Sequence, residues 1–165
     1  MIDKKITEAF NKQLNAELYS SYLYLSMAAC FESKNLSGFA TWLKMQAEEE
    51  RTHAMMFFEH INQRGGKVEL TAIDQPPAEW NTALKAFEDV LAHEKKVTAM
   101  INDLMDMAKS NNDHASQTFL NWFVSEQVEE EDNADDILQK LSMVGDSANG
   151  LMMLDQALAK RGSEQ

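Results

Sequence analysis

Glu50 and His53 stand three residues apart in Glu48-Glu49-Glu50-Arg51-Thr52-His53, which puts a carboxylate and an imidazole on one side of a helix. That side should be apolar: at spacings of three and four the column reads Phe39, Leu43, Gln46, Glu50, His53, Phe57, Ile61. A buried carboxylate is costly unless its charge is compensated. The interruption recurs in three other helical stretches. Glu17 breaks Phe10, Leu14, Ser21, Tyr24, Ala28; Glu94 breaks Trp80, Leu84, Phe87, Leu91, Val97, Ile101, Met105; Gln127 and Glu130 break Leu120, Phe123, Ala134, Ile137, Leu141. Each break falls near the middle of its helix, so four helices around one axis bring Glu17, Glu50, His53, Glu94 and Glu130 to one depth. Oxygen donors with one nitrogen suit Fe(II), and also Mn(II) or Zn(II), better than Cu(I). Two divalent ions cancel four carboxylate charges; without them, repulsion pushes the carboxyls toward protonation.

The elements that position these residues can be read from the same periodicity. The first helix runs from an Asp3 N-cap to about Glu32 and stops in Ser33-Lys34-Asn35. The second runs from Leu36 or Ser37 to Arg64, where Gly65-Gly66 ends it. The third is expected from about Ala78 to Lys109 and the fourth from Asn112 or Asp113 to Val144. Between the second and third, residues 65–79 carry Pro76-Pro77 and are long enough, at about 3.3 Å per residue, to cross the bundle. The third helix then runs parallel to the second, the single long crossover of an all-α four-helix bundle. A short amphipathic fifth helix is expected over Gly150–Arg161, with its apolar face buried against a neighbouring subunit.

Composition bounds the rest. The 165 residues, 44% of them apolar, suit one domain over 1–165, with the bundle over about 3–144. A formal charge of −12 without a basic patch speaks against nucleic acid and favours cations. No apolar run reaches the roughly 20 residues of a membrane span, and Met1-Ile2-Asp3-Lys4-Lys5 lacks a secretory apolar region, so a cytoplasmic location is expected. Cys30 reads as a small buried hydrophobe, the methionines as core filler, Trp122 as packing, and His60, His93 and His114 as surface residues.

The motifs resemble the ferritins, most closely the haem-free bacterial ferritins, over essentially the whole chain. The matching segments are Ala16-Glu17-Leu18-Tyr19-Ser20-Ser21, Glu49-Glu50-Arg51-Thr52-His53, His93-Glu94-Lys95, and the run from Trp122 to Glu130. The resemblance implies a ferroxidase that takes Fe(II) and O2 or H2O2. Glu17, Glu50 and His53 would hold one iron and Glu50, Glu94 and Glu130 the second, with Glu50 bridging and Gln127 beside the pair. Glu49, Glu126 and Glu129 match carboxylates of a third iron position, although the same residues suit a solvated acidic face. Tyr24 matches the tyrosine near the centre that can donate an electron, and it also suits a satisfied core tyrosine. The resemblance further implies a homo-oligomeric cage of twenty-four subunits that stores ferric mineral. Haem-binding relatives carry Met after the bridging glutamate, where this chain has Arg51, so no haem is expected. The alternative reading is a non-mineralising di-metal protein of the same bundle, an oxidase or a metal buffer.

Overall fold

A computed structural model describes residues 1–163, with side chains as far as Arg161. Helices α1 (Lys4–Ser33), α2 (Ser37–Gln63), α3 (Ala83–Ser110) and α4 (His114–Val144) are followed by a shorter α5 (Ala148–Leu158) and a 3-10 turn (Ala159–Ser163). Their ends follow from local chemistry. Asp3, Thr82, Asp113 and Ser147 each accept a hydrogen bond from a free N–H of the following first turn. Asn35, Gly65 and Asn112 adopt positive φ of 58°, 74° and 53° just past α1, α2 and α3. The amide that follows each then bonds back to Phe31, Ile61 and Ala108 respectively, which satisfies an otherwise orphaned carbonyl.

The four long helices pack around two separate apolar clusters. One joins the end of α1, the start of α2, the start of α3 and the end of α4 through Phe31, Phe39, Phe87 and Leu141. The other joins the opposite helix ends through Phe10, Phe57, Ile101 and Leu120. Shared ends fix direction: α2 and α3 run parallel, and α1 and α4 run against them. The crossover makes this possible by travelling along α1. Asn11 clamps it at one end, donating to the Lys67 carbonyl and accepting from Glu69 N, both at 2.9 Å, and Ser26 Oγ donates to the Pro77 carbonyl at 2.7 Å.

The third helix starts later than its periodicity suggests, at Ala83 and not Ala78, because Thr82 caps it. Trp80 is buried all the same, from the irregular segment, where its Nε1 donates to Asp89 at 3.1 Å. The inward column of α3 correspondingly shifts: Ala86 and Val90 are buried, whereas Leu84 is exposed and Leu91 half-buried. Four-residue steps back from Glu94 land on Val90 and Ala86, a packing choice that leucine-rich spacing concealed.

The fifth helix packs part of its apolar surface on its own bundle. Leu154 is buried, Leu151 and Leu158 lie on the first apolar cluster, and Met152 and Met153 stay exposed. Helix α2 has no side-chain cap of its own; Asp155 of α5 supplies one, accepting from Phe39 N at 2.9 Å. The approach is close enough that a Cβ on Gly38 would lie 1.7 Å from the Asp155 carbonyl oxygen. No helix among the described residues is long and apolar enough to cross a membrane.

Candidate metal centre

Between the two apolar clusters lies one polar layer. Glu17 from α1, Glu50 and His53 from α2, Glu94 from α3, and Gln127 and Glu130 from α4 are each no more than 4% exposed. Ligand-type atoms of Glu17, Glu50 and His53 lie within 4.8 Å of one another, as do those of His53, Glu126 and Glu130. His53 Nδ1 is 3.5 Å from Glu50 Oε2, and its ring meets Trp122 and Phe123 edge-on at 5.3 and 5.8 Å. Trp122 thus packs on the histidine while remaining 41% exposed.

Three glutamines each hold one carboxylate. Gln13 Nε2 donates to Glu17 at 2.8 Å, Gln46 Nε2 to Glu130 at 2.5 Å, and Gln127 Nε2 to Glu94 at 3.2 Å. The Tyr24 hydroxyl also donates to Glu94. These donors are neutral dipoles, so they orient the carboxylates without cancelling their charge. Gln13 and Gln46 carry no motif of their own. Their signal is positional: each stands four residues before a core glutamate, at Glu17 and Glu50.

The electrostatics are those of an uncompensated anionic cluster. Burial, reinforced by the Glu50 charge, pushes the Glu17 carboxyl well above its usual range. Burial and the Glu94 charge do the same to Glu50. Burial raises Glu94 against the opposing hydrogen bonds from Tyr24 and Gln127, and burial with Glu94 lifts Glu130 to about 7. Burial followed by the charges of Glu94 and Glu50 also raises Tyr24, which keeps its phenol protonated as a donor. Glu17 Oε2 is buried with no hydrogen-bond partner. An orphaned carboxylate oxygen among four acids and an imidazole is what a cation would satisfy, and the donor set fits a pair of divalent ions.

The three outlying carboxylates are placed differently from one another. Glu126 is half-buried, raised by burial, with Oε1 3.9 Å from His53 Nε2. Glu49 is half-buried and paired with Arg161, and Glu129 is exposed in a cleft with Lys95 and Ser125. Two histidines expected at the surface are not there. His60 is 9% exposed and stacks on Phe119 at 4.1 Å; His93 is half-buried, with Nε2 2.8 Å from Ser20 Oγ. Neither position is visible from its own helix, since the covering rings come from α1 and α4. His114 is exposed, and Cys30 is buried as a small apolar group.

Similarity to known proteins runs along essentially the whole chain. The family described as a Ferritin-like domain matches residues 7–144. A bacterial non-heme ferritin of Bacteroides fragilis (strain 638R) is 43% identical over 161 residues, 98% of this chain and 100% of the relative. One from Staphylococcus saprophyticus is 38% identical over 165 residues, 100% of this chain and 99% of the relative. Among solved structures, the open pore ferritin of the archaeon Archaeoglobus fulgidus superposes with a TM-score of 0.96 at 48% identity, covering 96% of this chain and 98% of its own.

Proposed function

The chain belongs to the ferritin family, and from that premise we propose that it is a ferroxidase that takes two Fe(II) ions into the polar layer as substrate and stores the ferric product. The observation that carries the reading is the convergence of four buried glutamates and His53 from all four long helices in one layer, with ligand atoms of Glu17, Glu50 and His53 within 4.8 Å of one another. Fe(II) is the substrate, O2 the electron acceptor; each ferrous ion gives up one electron, and O2 gains two electrons and two protons to leave as hydrogen peroxide.

The chain's part is to hold two ions close with open sides. Glu50, central in the layer, suits a bridging carboxylate; Glu17 and His53 would complete one position, and Glu94 and Glu130 the other. Gln13, Gln46 and Gln127 set which oxygen of each terminal carboxylate faces inward. Tyr24 donates to Glu94 and would help orient that carboxylate toward a bound cation. Burial favours the protonated forms of Glu17, Glu50, Glu94 and Glu130, so a cation bound among them would compete with protons. Glu126, Glu129 and Glu49 would hold a third ion on its way to the mineral. We assign the assembly to a twenty-four-subunit cage in the cytoplasm.

Stopped-flow aerobic oxidation of Fe(II) tests the chemistry. Glu50→Ala and His53→Ala should keep the assembled fold and lose the fast phase; unchanged initial rates in both would refute the site. Size measurement tests storage: a particle no larger than a dimer rules out a cage.

A further inference from the structure

The turn after α5 ends at the edge of the polar layer, and its Arg161 sits in a prepared socket. Nη1 donates to Gln46 Oε1 at 2.9 Å, Nη2 donates to Glu49, and the guanidinium lies 4.7 Å above the Trp42 ring. Only about a quarter of the side chain is exposed (26%). Gln46 is itself 1% exposed, and with its oxygen committed to Arg161 its Nε2 must face Glu130. The turn is fixed from behind by Leu154 in the core and by Asp155 on Phe39 N, so this arginine is held in place by folded structure and not by a mobile tail.

We propose that Arg161 is a positioning residue that occupies Glu49 as a resident cation, so that a metal ion reaches a third position at Glu49, Glu126 and Glu129 only in competition with it. The inference rests on the proposed iron-handling function and deepens it: the two inner positions are always open to metal, and the outer one is competed for. Arg161 holds Glu49 Oε2, so a divalent ion drawn to the same carboxylate meets the guanidinium charge and must push the arginine aside or bind more weakly beside it. Three contacts from two side chains and a ring make the displacement costly enough to rank the outer position last.

Calorimetric titration of the metal-free assembled protein with redox-inert Zn(II) tests this. In the wild type, two tight equivalents per subunit precede a weaker third. Arg161→Ala should leave the first two within about twofold and tighten the third by about fivefold or more, the size expected for losing one charge-assisted competitor. Arg161→Lys keeps the positive charge beside Glu49 and should return the third equivalent toward wild type; Glu49→Ala should remove it. A third equivalent that is unchanged or weaker in Arg161→Ala, or one that survives Glu49→Ala, overturns the proposal. If instead the two tight equivalents are absent, or persist in Glu50→Ala, the iron-site reading itself has failed.

Discussion

Replacing Glu130 by glutamine should stabilise the metal-free protein at neutral pH while damaging the metal site, a trade that follows from the numbers at this residue. Glu130 is 4% exposed, and burial with the neighbouring Glu94 lifts its carboxyl from the ordinary 4.5 to about 7. Between those values the folded chain holds a proton that the unfolded chain has released, so stability falls as pH rises through the window and the full penalty stands above it. At about 1.4 kcal/mol per pH unit the penalty is about 3 kcal/mol per subunit. Glutamine cannot ionise and can still accept the bond from Gln46 Nε2. Calorimetric melting of chelator-treated protein should therefore show Glu130→Gln matching the wild type near pH 4.5 and exceeding it at pH 8 by about 6–12 °C, given roughly 2–4 °C per kcal/mol for a chain of this size. Residual pH dependence from Glu17, Glu50 and Glu94 remains in the variant. Zn(II) should close or reverse the gap, because only the wild type has its charges neutralised by two ions. A variant equal to or less stable than wild type at pH 8 without metal would show that the carboxylate is not penalised and that the polar layer is not an anionic trap.

Other expectations separate the remaining parts. Glu126→Ala should change the oxygen-to-iron stoichiometry and the number of irons handled per subunit more than Glu129→Ala does, since Glu126 lies 3.9 Å from His53 Nε2 and Glu129 is exposed; equal titrations for both variants and wild type would remove the third position. Gly38→Ala should cost roughly 3 kcal/mol or more, because its Cβ overlaps the Asp155 carbonyl and pries α5 from the α2 N-terminus. Limited proteolysis should then cut near residues 145–148 faster than in wild type, and an unchanged rate would contradict the clamp.

How much of this was legible in the sequence depends on which force decided each feature. The four broken apolar columns were legible because a helix repeats every 3.6 residues, and a charge in a buried stripe stands out against its own neighbours. Helix ends were legible where Asp3, Asn35, Gly65, Asn112 and Asp113 act locally. The start of α3 is hidden from a helical pattern because Trp80 is buried without being helical; it enters the apolar cluster from the end of the crossover, with its Nε1 donating to Asp89. His60 and His93 are buried by rings and hydroxyls supplied from other helices, which no single-helix pattern carries. The carboxylate-holding role of Gln13 and Gln46 depends on how helices rotate against one another, although their four-residue offset from Glu17 and Glu50 was there to be seen. The fifth helix was recognised as amphipathic, but Asp155 capping α2 across more than a hundred residues is tertiary information.

Anomalous scattering from a crystal soaked in Fe(II) without oxygen tests the central claim most directly. Two iron peaks are expected in the layer between the apolar clusters, one between Glu17 and His53, the other between Glu94 and Glu130, with Glu50 common to both. Iron found only on the exposed acidic surface, with Glu17, Glu94 and Glu130 still holding to their glutamine and tyrosine donors, would contradict that claim.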